Sequence, residues 1–147
     1  MKREFLFLNE NELEPVFQSL DGLVLPYIKS DIKPIILLTG EMGAGKTTFT
    51  REWFSRFQSN QNVNSPTFSL YNVYDAKEFS LYHFDLYRLH SEEELSELGF
   101  EEIWGRAGVC IIEWWKIASS LIPIENRIYI QIEVDSQHSR SYRLEWN

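Results

Sequence analysis

Hydrophobic positions along the chain change period often enough to mark out its elements. Glu4-Phe-Leu-Phe-Leu8 is a short apolar segment that predicts an edge strand. Asn9 with Glu12 three residues on matches a helix start, and Leu13, Val16, Phe17 and Leu20 then form an apolar stripe at helical spacing. Gly22 and Pro26 break that pattern. Pro34-Ile-Ile-Leu-Leu38, ending at Thr39, contains no polar residue and reads as a buried strand. Phe49, Trp53, Phe54 and Phe57 return to helical spacing. A polar loop, Ser59-Asn-Gln-Asn-Val-Asn64, leads into Ser65-Pro-Thr-Phe68.

Beyond that loop, Ser69 to Tyr74 and Ser80 to Tyr87 read as two strands joined by a turn around Asp75-Ala-Lys77. Ser91 and Glu94 form a capping box for a helix through Leu98, and Gly99 is a natural stop. Val109-Cys-Ile-Ile112 is a second fully apolar run. The last strands are expected over Arg127 to Val134 and Ser141 to Trp146. Strands and helices do not simply alternate. The pattern predicts an α/β fold with a mixed, partly antiparallel central sheet flanked by helices.

Composition narrows the class. At 147 residues, 44% of them hydrophobic, the chain is expected to form one domain spanning 1–147 with a substantial core. No apolar stretch approaches the roughly 20 residues of a membrane span, and Met1-Lys-Arg-Glu-Phe5 lacks a signal-peptide core. A cytoplasmic location without membrane attachment is the expectation. The single cysteine, Cys110, excludes an internal disulfide and falls in an apolar run, as a core residue does. Net charge is −8, which argues against a stand-alone nucleic-acid binder.

One motif carries chemistry on its own. Gly40-Glu-Met-Gly-Ala-Gly45-Lys46-Thr47 is a complete G-x-x-x-x-G-K-[ST] loop, placed between an apolar strand and a helix. Glycines allow a tight turn whose N–H groups point at phosphate with no side chain in the way. The helix starting near Gly45 adds the positive end of its dipole. Glu41, Met42, Gly43, Ala44, Gly45, Lys46, Thr47 and Thr48 are the expected phosphate-binding residues of a nucleoside triphosphate site. Lys46 reaches the β- and γ-phosphates as a point charge, and Thr47 offers its hydroxyl to Mg²⁺. With this loop, the expected architecture becomes a P-loop NTPase-like three-layer fold.

Nucleotide hydrolysis also requires a carboxylate near the metal and a group to position water. Asp85 follows the apolar strand Leu81-Tyr-His-Phe84, and Glu113 follows Val109-Cys-Ile-Ile112. Ligands gather at the carboxyl ends of strands in such folds. Both acids are therefore candidate catalytic and metal-binding residues, and they are expected to share the metal and its water. Thr67, in Ser65-Pro66-Thr67, lies where phosphate-loop switches lend a hydroxyl to Mg²⁺ or the γ-phosphate; the bland reading is a proline-anchored turn. His83 reads as a packed histidine. The acidic run Glu92, Glu93, Glu94, Glu97, Glu101 and Glu102 fits the preference of acids for a helix N-terminus and a wet face, and the sharper alternative is a docking face for a basic partner.

Gly40-Glu-Met-Gly-Ala-Gly-Lys-Thr-Thr48, Ser65-Pro-Thr-Phe68, His83-Phe-Asp-Leu-Tyr-Arg88 and Ile112-Glu-Trp114, in this order, resemble the motifs of the TsaE family. The resemblance implies a small Mg²⁺-dependent ATPase of bacterial tRNA threonylcarbamoyladenosine biosynthesis. It also implies two partners, the threonylcarbamoyltransferase and its non-catalytic paralogue, with tRNA engaged indirectly through the complex. Lys46, Thr47, Thr67, Asp85 and the Glu113-Trp114 pair match the family's functional positions, and Asn11 falls near its adenine side. Trp115 and Lys116 depart from the small residue or proline, then polar residue, that commonly follow Glu-Trp.

Other phosphate-loop classes fit less well. A GTPase requires an Asn-Lys-x-Asp guanine-reading motif, and the sequence has none. A small-molecule kinase usually carries an arginine-rich lid, whereas Arg51, Arg56, Arg88 and Arg106 are scattered. A nucleotide-gated binding module differs from the family role only in its slow hydrolysis.

Overall fold

A strand with no polar face has to be covered on both sides, and Ile35–Leu38 therefore takes the middle of the sheet. The computed structural model describes residues 1–58, 63, 64, 66 and 70–147. Seven strands, β1 (Lys2–Leu8), β2 (Ile35–Thr39), β3 (Tyr71–Asp75), β4 (Ser80–Asp85), β5 (Val109–Glu113), β6 (Arg127–Ser136) and β7 (Ser139–Trp146), pair in the order β1-β7-β6-β2-β5-β4-β3. β2 runs parallel to both neighbours, β5 and β6, and β4 runs parallel to β5. The remaining pairs are antiparallel. The mixed sheet flanked by helices is the expected α/β architecture.

Strand alternation splits β2 between two cores. Ile36 and Leu38 join Val16, Phe17 and Leu20 of α1 (Glu14–Val24) and Phe49, Trp53 and Phe54 of α2 (Lys46–Phe54). Ile35 and Leu37 face the other side, against Leu95 of α3 (Glu92–Leu98), Phe100 and Trp104. Each such aliphatic side chain stabilises the fold by about 1.5–3 kcal/mol when fully buried. That two-sided burial keeps the carboxyl end of β2 rigid under the loop that follows.

Element ends differ from the sequence pattern by a few residues, for local reasons. The Asn9 amide donates to Glu12 Oε1 at 2.8 Å, but this closes a 3₁₀ turn at Glu10–Glu12, and α1 starts only at Glu14. Pro15 has no amide hydrogen and is tolerated only in a first turn, so the α-helix opens there. β4 stops at Asp85 rather than Tyr87 because the Tyr87 amide donates back to Asp85 Oδ1 at 3.0 Å, bending the chain. Ser91 Oγ accepts from the Glu94 amide and Gly99 takes φ +72°, so both ends of α3 lie where its capping residues put them. Cys110 is fully buried within β5.

Candidate functional site

The glycine-rich loop sits at the carboxyl edge of the sheet, between β2 and α2. Gly43 and Gly45 adopt φ +84° and +100°, conformations that side-chain-bearing residues rarely take. A Cβ at Gly40 would lie 3.1 Å from both Ala44 Cβ and the Ile132 carbonyl oxygen, so close packing also demands glycine there. The Ala44 amide donates to the Glu41 carbonyl at 2.9 Å, closing the turn. From β7, Arg140 Nε donates to the Ala44 carbonyl at 2.8 Å and braces the loop from the far side.

Lys46 opens α2 and is buried. Its Nζ donates to the Gly40 carbonyl at 2.8 Å and lies 3.9 Å from the centre of the Trp114 ring. A cation withdrawn from water needs such partners. Burial pulls the Lys46 pKa below the ordinary lysine value, and the nearby charges of Glu113 and Asp85 push it back up. Trp114 reaches this position because it takes the left-handed conformation, φ +56° and ψ +43°, directly after β5. Tyr87 stacks obliquely on it, ring centres 5.0 Å apart.

Sheet register supplies the carboxylates. Asp85 lies opposite Glu113 across β4 and β5, and Leu38 lies opposite Glu113 across β2 and β5, so three strands end level beneath the loop. Glu113 is buried, with Oε2 2.6 Å from His83 Nε2 and receiving the Thr47 hydroxyl at 3.5 Å. Met42, Gly43, Lys46, Thr47, Asp85 and Glu113 border a cavity of about 400 Å³, with Trp114 on its rim. Among the described residues no group of three His, Cys, Asp or Glu side chains converges as a self-sufficient metal site. Thr47, Asp85 and Glu113 form a hard oxygen donor set instead, and Mg²⁺ is typically held by one or two carboxylates plus substrate phosphates. The residues present fit a divalent ion carried in with a nucleotide.

A second cleft of about 750 Å³ opens on the other side of the loop, bordered by Asn11, Gly45, Thr48, Glu52, His138 and Arg140. Asn11 thus lies apart from the carboxylates but beside the same loop, and Thr48 borders both cavities. Glu41 is exposed on the loop's outer turn, and Met42 is 67% exposed. Thr67 lies outside the described residues. His138 and Arg140 are absent from the sequence-based candidates, and no local motif marks them. The pairing of β7 with β6, which itself pairs with β2, carries Arg140 to the loop. Trp115, the departure from the family pattern, has a structural role: its Nε1 donates to Thr39 Oγ1 at 3.0 Å and its ring packs on Tyr129. No described helix is long and apolar enough to cross a membrane.

Comparison with known proteins identifies the family. A family model described as "Threonylcarbamoyl adenosine biosynthesis protein TsaE" matches residues 9–142. The tRNA threonylcarbamoyladenosine biosynthesis protein TsaE of Rickettsia felis is 42% identical over 118 residues, 77% of this chain and 67% of that protein. The Bacillus subtilis protein of the same name is 38% identical over 99 residues, 67% of this chain and 61% of that protein. The chain spans about two thirds of the length of the curated relatives it matches. The crystal structure of Bacillus subtilis YdiB superposes with a TM-score of 0.71 over 98% of this chain and 84% of that one; at 24% identity it speaks for the fold. The chain belongs to the TsaE family, the family of tRNA threonylcarbamoyladenosine biosynthesis.

Proposed function

We propose that this protein is a Mg²⁺-dependent ATPase subunit of the threonylcarbamoyladenosine machinery in the cytoplasm. It works with the threonylcarbamoyltransferase and its non-catalytic paralogue, which act on the adenosine beside the anticodon. The observation that carries the reading is the convergence of Lys46, Thr47, Asp85 and Glu113 on one cavity beneath the glycine-rich loop. ATP rather than GTP follows from the lack of a guanine-reading motif.

In this reading the inward amides of the loop and the first turn of α2 bind phosphate oxygens, and Lys46 places its charge on the β- and γ-phosphates. Thr47, Asp85 and Glu113 would hold Mg²⁺, and the ion would neutralise charge developing on the transferred phosphoryl group. Glu113 orients the attacking water. Thr67 contributes a hydroxyl, and Asn11 and Thr48 line the base side. Among the described residues no arginine borders the carboxylate cavity, so hydrolysis by the isolated chain is slow and a partner accelerates it. The chain transfers no group to tRNA, and its acidic balance leaves RNA contact to the complex.

The test is ATP turnover by this protein alone, then with the transferase and its paralogue, with and without tRNA. Stimulation by the two partners is the expected result. Unstimulated turnover, with phosphate appearing instead on a small metabolite, would replace the reading with a small-molecule kinase.

A further inference from the structure

His83 is a buried polar side chain that this mechanism leaves unused. It lies on β4, two residues before Asp85, and none of its surface is exposed. Nε2 sits 2.6 Å from Glu113 Oε2, while Nδ1 is buried and has no hydrogen-bond partner. That asymmetry decides the tautomer. A proton on Nδ1 would be an unpaired donor and would leave an imidazole lone pair facing a carboxylate lone pair; a proton on Nε2 makes a short, charge-assisted hydrogen bond. Glu113 Oε2 is then engaged twice, by His83 and by the Thr47 hydroxyl, while Oε1 has no hydrogen-bond partner among the described residues.

We propose that His83 is a positioning residue, which holds Glu113 through an Nε2–H···Oε2 hydrogen bond and so leaves Oε1 for the metal and water of the phosphate cavity. A buried carboxylate with one oxygen tied keeps a single side-chain rotamer, and the untied oxygen is the acceptor that remains. Outer hydrogen bonds of this kind typically account for about 10–100-fold in metal affinity or activity. Backbone pairing makes the grip specific. β4 and β5 are parallel with His83 opposite Ile111, and the imidazole reaches along the strand to Glu113 at the sheet's carboxyl edge.

The inference rests on the proposed nucleotide site, and two measurements separate the failure of each. The first is binding of Mn²⁺, as a probe for Mg²⁺, followed by electron paramagnetic resonance in the presence of a non-hydrolysable ATP analogue. His83→Leu is expected to weaken Mn²⁺ about tenfold or more while analogue affinity in EDTA stays within about twofold. His83→Gln, which restores an N–H donor, is expected to recover Mn²⁺ affinity to within about threefold of wild type. A leucine variant that lowers Tm but leaves Mn²⁺ affinity intact would make His83 a packing residue and overturn the inference.

The second measurement needs no variant, and so stands even if the leucine protein does not fold. Nitrogen-15 NMR of the wild-type imidazole at pH 8 should find the proton on Nε2. A bare Nε2 with the proton on Nδ1 would overturn the inference. A wild type that binds no ATP analogue would defeat the nucleotide reading, leaving the tautomer to decide the hydrogen bond to Glu113.

Discussion

Burial lowers the Lys46 pKa and the nearby charges of Glu113 and Asp85 push it back up, while the Trp114 ring lies against the ammonium. Charge-assisted hydrogen bonds contribute about 1.5–3 kcal/mol. Lys46→Ala should therefore weaken Mg²⁺–ATP at least about tenfold in a fluorescence titration, and wild-type affinity would contradict the phosphate role. Glu113→Ala should leave nucleotide affinity in EDTA nearly unchanged and slow partner-stimulated hydrolysis about 100-fold, the scale of a lost general base. Loss of Mg²⁺-dependent binding instead would make Glu113, rather than Asp85, the principal ligand of the shared metal. Cys110 has a different fate. Burial pushes its thiol up to about 12 from a usual 9.0, so the folded protein should resist a thiol reagent at pH 8 and label only on denaturation. The sign of the linkage follows: below about pH 9 the thiol is neutral in both states, and above it the unfolded chain loses the proton first, so stability falls as pH rises toward 12.

Helix α2 is tied to α1 through Asp21. Trp53 Nε1 donates to Asp21 Oδ1 at 3.0 Å, and Arg56 pairs with Oδ2 at 2.7 Å. The ion pair is partly exposed and contributes little. The fully buried Trp53 ring matters more, because an indole N–H left without an acceptor costs about 1–3 kcal/mol. Asp21→Ala should lower Tm by roughly 2–12 °C, at about 2–4 °C per kcal/mol for a chain of this size, and Asp21→Asn should recover most of it. Calorimetry checks both; an alanine variant as stable as wild type would show that Trp53 holds α2 by packing alone. At this scale the sequence was a good guide to where elements lie and a poorer one to where they stop. Val109–Ile112 is apolar throughout and became the fully buried β5, as its composition requires. The end of β4 depends on a side-chain oxygen of Asp85 turning back to the Tyr87 amide, a local bond that hydrophobic periodicity does not register.

For the molecule as a whole, the net charge of −8 is carried in part by an exposed acidic face on α3, while the phosphate cavity sets Lys46 against Asp85 and Glu113. Three of those acids, Glu92, Glu93 and Glu94, occupy the first turn of α3, where the helix dipole favours them. Binding of Mg²⁺–ATP should stabilise the whole fold by about 2.7 kcal/mol at 100 times Kd, a rise in Tm of roughly 5–11 °C. Lys46→Ala should abolish that rise; a shift that persists would place the nucleotide elsewhere. The sequence by itself determined the glycine-rich loop, the apolar strands that make the core and the family, because each rests on contiguous residues whose conformational demands are local. Tertiary structure decided the rest. Only strand register brings Asp85 level with Glu113, only β7 carries Arg140 to the Ala44 carbonyl, and only the β4–β5 pair sets His83 against Glu113. These contacts join residues 28 to 96 positions apart, and no spacing along the chain encodes them.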